Sequence, residues 1–455
     1  MSAVPGEAIL AIYAHIVGWG KYVPDRIVTN QDIAVLMNTS DDWIKSRTGI
    51  SERRHADPEK GETTASMAIA AARLALDRAR INPSTVDMII VASLSPEHIM
   101  PSTAALVQDA IGASHAGAFD LSAACAGFVY AFAMGSSLIQ SGAARVVLVI
   151  GAETVSTILD KEDRGVYPLF GAGAGALVLQ AHDTPGGVMS TILGADGSGA
   201  EHLIVPAGGS KMPASQSTLD QRLHYMRMNG REVYRFATRV MGKASKQACD
   251  KAGLRVEDID LFIPHQANIR IIQSASKALN LSDDKIFTNL HKYGNTSAAS
   301  IPIALCEAIE EGRVKTHDKI VMVGFGGGLS WGATVIEWGM PMPYQHRQWW
   351  YRSLRWMVYK YAELRSNFIR VRRRVEIILA EEDADASTNQ PVEKSKSPEK
   401  VGPIEQLTPL EKTSNPETNG HHPPHLGPNG AGGNGTKRAK KETVMSTPEP
   451  EELSE

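Results

Sequence analysis

The chain is 455 residues long and 43% hydrophobic, with 47 lysines and arginines against 50 aspartates and glutamates. That length allows two or more domains with sizeable cores, and a net charge of −3 argues against bulk nucleic-acid binding. Three cysteines, Cys125, Cys249 and Cys306, form no disulfide framework and point to a reducing, cytoplasmic compartment.

The apolar stretch 8–20 has no basic segment before it and no clear cleavage site, so no signal peptide is expected. No run reaches the roughly 18–20 apolar residues that span a bilayer. Residues 1–339 alternate apolar, strand-like runs with Ala-rich helical patterns and glycine turns. A helical pattern at 66–80 leads into a strand at 86–91, and a second at 239–253 leads into a strand at 259–263. Asp87 and Asp260 in these pairs lie 173 positions apart. Strand-like 145–151 and 319–324 match at an offset of 174. The repeat predicts an α/β chain of two duplicated halves, 1–185 and 186–339, with mostly parallel sheets covered by helices. Short apolar runs at 148–150 and 176–179 suit strands buried on both faces.

Cys125 sits in Asp120-Leu-Ser-Ala-Ala-Cys-Ala-Gly127, ahead of a buried helical pattern at 128–134. A cysteine at a strand-to-helix turn meets unpaired N–H groups and the positive end of a helix dipole, which stabilise a thiolate. Its plain alternative is a small buried hydrophobe, the reading given to Cys249 and Cys306 inside helical patterns. His265 opens His265-Gln-Ala-Asn268 after an apolar strand. The C-terminal ends of buried strands are where open α/β sheets hold ligands, though the residue alone reads equally as a satisfied core histidine. Asn295, in Gly294-Asn-Thr-Ser297, reads as a helix N-cap. It also follows Cys125 by 170 positions, close to the repeat, which would put the two at equivalent helix starts facing one pocket. Phe325-Gly-Gly-Gly328 follows a strand and suits either an oxyanion hole or a turn. The run Phe170–Gly175 has the wrong spacing for a dinucleotide fingerprint and reads as structure near the site.

Residues 340–380 form a separate segment. Nine basic residues crowd 347–374, opposed only by Glu363, and apolar residues recur by fours and threes from Trp350 to Ile378. That stripe predicts an amphipathic helix with three open uses: docking on the protein's own body or in a coiled coil, lying on an anionic membrane, or binding another protein. Residues 381–455 are Pro-, Ser-, Gly- and charge-rich with few apolar side chains, and are expected to be disordered.

Taken together, residues 12–339 resemble the β-ketoacyl-acyl carrier protein synthase III family. The resemblance rests on Ala124-Cys-Ala-Gly127, Pro264-His-Gln-Ala-Asn268, Gly294-Asn-Thr-Ser297 and Gly326-Gly-Gly-Leu-Ser-Trp331, in that order. It implies the thiolase-like five-layered α-β-α-β-α fold, a homodimer, and an acyltransferase that needs no metal or redox cofactor. Cys125 would carry an acyl group taken from acyl-CoA. His265 and Asn295 would hold the malonyl thioester of acyl carrier protein during decarboxylation. The N–H groups of Cys125 and Gly327 would form the oxyanion hole. Trp43, Arg47 and Arg164 match CoA-binding positions, and Arg235, Arg270 and Lys277 match the carrier-protein patch. Met100, where the family often has phenylalanine, and Phe170 would line the acyl pocket. Ala172 replaces a customary aspartate. The Cys-His-Asn set separates the chain from elongating synthases (Cys-His-His) and thiolases (Cys-His-Cys). Met100 keeps open a related condensing enzyme of a secondary lipid or polyketide pathway; a non-catalytic scaffold is the second alternative.

Overall fold

The computed structural model describes residues 11–339 and 349–388, with side chains in the second stretch described over 355–377. The N-terminal half runs β1 (Tyr13–Tyr22), α1 (Asp41–Thr48), α2 (Thr64–Ala79), β2 (Met88–Ala92), α3 (Thr103–Ile111), β3 (Gly117–Leu121), α4 (Gly127–Gln140), β4 (Val146–Thr154) and β5 (Ala172–His182). The C-terminal half runs β6 (Gly187–Ala195), α5 (Gly230–Lys251), β7 (Leu261–Pro264), α6 (Ile269–Ala278), α7 (Ser300–Glu310), β8 (Lys319–Gly326) and β9 (Ser330–Glu337). A long helix, α8 (Trp349–Thr388), follows.

The first sheet has the order β1-β5-β4-β2-β3 and the second β7-β8-β9-β6. Only β4/β2, β2/β3 and β7/β8 are parallel; the four pairings made by β5 and β9 are antiparallel. The sheets are therefore mixed, not mostly parallel. β9 turns straight back along β8 after Gly326, and β5 returns along β4 from Val146↔Gln180 to Thr154↔Ala172.

Five layers follow from where each apolar face is buried. Helices α4 and α7 are apolar on nearly every side, and they lie between the sheets, where Phe128, Phe132, Ile301 and Leu305 pack against Val147, Leu177 and Met322. A helix apolar all round is stable only when covered all round. Helices α2 and α3 cover the outer face of the first sheet, with Met67, Ala71, Ala75 and Val107 on Leu148 and Val178. Helices α5 and α6 cover the second, with Phe236, Met241 and Ile271 on Phe262 and Val321. The alanines of α2 let it lie on β1 itself: a Cβ built on Gly20 would sit 2.3 Å from the Ala71 carbonyl oxygen. Strand β4, Val-Val-Leu-Val-Ile-Gly-Ala-Glu-Thr, is buried along its whole length, as its unbroken apolar run requires.

The duplication is visible residue by residue. Strand pairs β2/β4 and β7/β8 share one register at an offset of 173, Met88↔Val147 against Leu261↔Ile320. The turns before α4 and α7 share a left-handed residue at the same offset, Ala124 (φ 46°) and Ser297 (φ 49°). By that register Cys125 corresponds to Ala298. Asn295 lies three residues upstream and corresponds to Ser122, so Cys125 and Asn295 are not at equivalent positions as the spacing of 170 had implied.

Helix α8 packs on the outer faces of α2 and α3. Arg355 Nε lies 2.7 Å from Asp77 Oδ1, and the Tyr359 hydroxyl donates to Asp77 at 2.9 Å. Ala362 meets the turn at Gly112. Ser366 and Arg370 both reach Asp109. The helix continues to Thr388, past the boundary expected at 380; residues 389–455 lie outside the described residues.

Candidate active site

Cys125 occupies a single turn, Ala124–Ala126, joining β3 to α4, and only 4% of it is exposed. The N-cap of α4, Ala126, offers no side-chain hydrogen bond, so the leading N–H groups of this 14-residue helix stay available around the turn. Gly326 at the end of β8 passes directly across Cys125: a Cβ there would sit 2.5 Å from the Cys125 nitrogen. Burial pushes the thiol up to about 12, and the Glu153 carboxylate also raises it, against the helix terminus, which favours the thiolate.

His265 leaves β7 with its N–H donating to Val323 at 2.7 Å, and is 1% exposed. Its Nδ1 lies 2.6 Å from Ser300 Oγ, and the ring stands edge-on to Phe325 with centroids 5.3 Å apart. Burial lowers its pKa to about 3, so it is a neutral imidazole across the physiological range.

Asn295 bridges the halves through its backbone, donating to Leu169 at 2.8 Å and accepting from Gly171 at 2.9 Å. Its Oδ1 accepts from the Ser297 N–H at 2.8 Å, which leaves the amide NH2 to serve the cavity. It is not the N-cap of α7; Ala299 holds that position.

One cavity of about 470 Å³ is lined by Cys125, His265 and Asn295 together with Phe170, Phe325 and Gly326. Trp43, Arg47, Arg164 and Arg270 line the same cavity. The Arg164 guanidinium lies 4.1 Å and that of Arg47 5.3 Å from the Trp43 ring centroid, forming a cation–π cluster. Arg270 donates to the Ser46 carbonyl at 2.8 Å, which ties α6 to α1.

Four of the expected residues are not part of this cavity's lining. Met100 is 86% exposed and does not line this cavity; its loop projects outward, with Ile99 95% exposed beside it. Gly326, the last residue of β8, lines the cavity, and Gly327 follows it beside the Cys125 turn, where a Cβ would sit 3.7 Å from Ala124 Cβ. Arg235 and Lys277 are exposed on α5 and α6 and outside the cavity, with Arg235 paired to Glu232 at 3.1 Å. Ala172 is fully buried at the start of β5.

Sequence reasoning missed Arg231, Tyr234 and Asn268 on the cavity wall, and Ser300 behind His265. It also missed Glu153 at the end of β4, which accepts from Ser95 Oγ at 2.6 Å and from the N–H groups of Leu94, Ser95 and Ala298. An acidic residue closing a wholly apolar strand was the available signal for Glu153. Cys249 and Cys306 are fully buried in α5 and α7. Among the described residues no group of histidine, cysteine and carboxylate side chains could hold a metal ion, and no helix is long and apolar enough to cross a membrane.

A duplicated five-layer α/β body with Cys, His and Asn meeting in a cleft between its halves defines a thiolase-fold condensing enzyme. Comparison with known proteins narrows this class. Residues 119–197 match the 3-oxoacyl-[acyl-carrier-protein] synthase III family, and residues 249–338 match its C-terminal region. The chain is 51% identical over 324 residues to the β-ketoacyl-[acyl-carrier-protein] synthase III of Symbiobacterium thermophilum, covering 71% of this chain and 98% of the relative. It superposes on the crystal structure of 3-oxoacyl-[acyl-carrier-protein] synthase III from Aquifex aeolicus with a TM-score of 0.66 and 45% identity, covering 71% and 99% of the two chains. The priming β-ketosynthase of the R1128 polyketide pathway matches with a TM-score of 0.68 and 33% identity, covering 74% and 100%. The chain belongs to the β-ketoacyl-acyl carrier protein synthase III family.

Proposed function

We propose that this protein initiates fatty-acid synthesis by condensing a Cys125-bound acyl group, supplied by an acyl-CoA such as acetyl-CoA, with malonyl-acyl carrier protein. The products are 3-oxoacyl-acyl carrier protein, CO2 and CoA. The reading is carried by one observation: Cys125, His265 and Asn295 line one cavity with the Trp43, Arg47 and Arg164 cluster. In the first half-reaction the Cys125 sulfur attacks the thioester carbonyl and CoA leaves with the proton. The negative charge on the carbonyl oxygen is met by the backbone N–H groups of Cys125 and Gly327. In the second, the malonyl C–C bond breaks to release CO2, and its electron pair becomes an enolate whose oxygen needs donors already in place. His265 Nε2–H and the Asn295 amide supply them. The enolate carbon then attacks the acyl carbonyl, and collapse of the adduct returns the Cys125 thiolate.

Ser300 sets the donor state of His265. Ser300 Oγ accepts from the Gln266 N–H at 3.4 Å, and in this reading its own proton goes to Nδ1, 2.6 Å away. Nδ1 then accepts, and Nε2 carries the hydrogen. Because burial keeps the ring neutral, it acts as a hydrogen-bond donor and not as an acid.

The enzyme works without a metal or redox cofactor, as a cytoplasmic homodimer served by acyl carrier protein docking at Arg235, Arg270 and Lys277. The likeness to a priming polyketide ketosynthase favours one second reading, the same chemistry with a different primer. Intact-protein mass after mixing with acyl-CoAs of graded length and branching tests both readings. A Cys125-dependent acyl shift that malonyl-acyl carrier protein discharges is expected, and the preferred chain separates the two pathways. No shift with any acyl-CoA, or an undiminished shift in Cys125→Ala, overturns the proposal.

A further inference from the structure

Helix α8 begins beyond residue 338, where the family match ends. Its two faces differ. Arg355, Tyr359, Ala362, Ser366 and Arg370 hold it against α2 and α3. At roughly 100° per residue, the opposite side carries Met357, Tyr361, Leu364, Phe368, Val371 and Val375. These six fall in one narrow stripe turned away from the protein. Leu364 and Phe368 at its centre are 67% and 68% exposed, far above what a folded surface leaves open in a continuous row.

Charge selects what covers this stripe. Arg365 and Arg372 flank it on one side, Lys360 and Arg374 on the other, with Lys360 paired to Glu363 and Arg372 to Glu376. Residues 355–377 hold seven basic side chains and two acidic ones. A second copy of α8 would set these flanks against themselves in either orientation, placing arginine opposite arginine or lysine. An anionic surface meets both flanks with opposite charge while the apolar stripe enters a nonpolar layer. Trp356, 61% exposed, and Tyr361 sit beside or within the stripe, where amphipathic aromatic rings favour the headgroup level.

The geometry points to α8 as a membrane-surface helix that seats the enzyme on anionic lipid, its inner face fixed to α2 and α3 and its outer face entering the bilayer boundary. The body supplies the rigid backing that an isolated amphipathic helix lacks. On the inner side, Arg365, Arg370 and Arg373 line a cleft of about 360 Å³ with Gln108, Asp109 and Ser114, where Arg370 is paired with Asp109.

Sedimentation of the full chain with vesicles tests this, comparing phosphatidylcholine alone with an equal mixture of phosphatidylcholine and phosphatidylglycerol. Binding to the anionic vesicles should exceed binding to the neutral ones by roughly tenfold or more and should weaken as salt rises. The double variant Leu364→Glu, Phe368→Glu keeps every contact to α2 and α3. It should bind on the order of a hundredfold more weakly while retaining acyl loading of Cys125, which reports its folding. Charge removal in Arg365→Gln, Arg372→Gln should erase the preference for anionic vesicles. Equal binding by a chain ending at Gly339, unchanged binding in the Glu double variant, or no vesicle binding by the full chain overturns the assignment. In the last case, larger assemblies in the ultracentrifuge that the Glu double variant dissolves would give the stripe to a second copy instead.

Discussion

The hydroxyl of Ser300 and Nδ1 of His265 stand 2.6 Å apart at the junction of the two halves, joining the first residue of α7 to the end of β7. No other polar side chain is placed to fix which imidazole nitrogen carries the hydrogen among the described contacts of His265. Ser300→Ala should therefore lower malonyl decarboxylation roughly tenfold while leaving Cys125 acylation by acyl-CoA unchanged. Stopped-time assays of each half-reaction check this split. An equal loss in both would assign Ser300 to packing alone.

Trp43 carries two guanidinium groups against its ring, at 4.1 Å and 5.3 Å from the centroid. An adenine base entering this cluster exchanges a cation–π contact for stacking. Trp43→Ala should raise KM for acyl-CoA about tenfold, in line with roughly 1–3 kcal/mol for each base stacked on an aromatic ring. The rate constant of the malonyl half-reaction should stay the same. Initial-rate kinetics with each substrate varied separately give the answer.

Gly326 leaves no room for a side chain beside Cys125. In Gly326→Ala the new methyl meets the Cys125 nitrogen at 2.5 Å, so the turn Ala124–Ala126 must shift. A displacement of this kind costs on the order of a hundredfold in a reaction that depends on placement. Acyl loading measured by mass should fall by that factor, with a lower melting temperature. Gly142, which has open space around it, accepts no such clash, although its φ of 77° makes substitution there strained in another way.

Two buried histidines tie stability to pH. Burial holds His265 near 3 and His55 near 4, and Arg53 beside His55 adds to its depression. In the unfolded chain both titrate near 6.5, so below that value the unfolded state binds protons that the folded state refuses. Their contribution to stability is complete above pH 6.5 and is lost as pH falls through 4 toward 3. The urea midpoint should be level from pH 7 to 8 and drop between about 6.5 and 4. His55→Gln should make that drop shallower. A midpoint independent of pH over this window would contradict the neutral assignment of both rings.

Much of this architecture is written in periodicity. The unbroken apolar run of β4, the alanines of α2 and the near-constant offset between halves all follow from which faces must be buried. Mixed sheet polarity escaped the same reasoning, because an apolar run says that a strand is buried and not which way its neighbour runs. Cys125, His265 and Asn295 stood out because each sits where a strand or tight turn meets a helix, within small or glycine-rich neighbours. Ser300, Glu153 and Arg231 did not, since each acquires its place only through a partner in another element. The outward position of Met100 was also hidden: its neighbours Ile99 and Pro101 give no period from which to read a direction. Helix α8 was visible as a stripe, yet the stripe alone did not say that its polar face, through Arg355, Tyr359 and Ser366, would be the one turned inward.

The shared register of the halves has a consequence for how the molecule came to work. At the offset of 173, Cys125 faces Ala298 in the copy, His265 faces Ala92, and Asn295 faces Ser122. Wherever one half bears a reactive side chain, its twin bears a small inert one. The backbone kink at Ala124 and Ser297 is kept in both, as are Gly151 and Gly324, which each pass beneath the other half's helix start. The fold thus retains two cradles and arms one, with Cys125 drawn from the first copy and His265 and Asn295 from the second. On the proposed mechanism, a chain divided between β5 and β6 should be inactive as either piece alone and regain activity only when the two are combined.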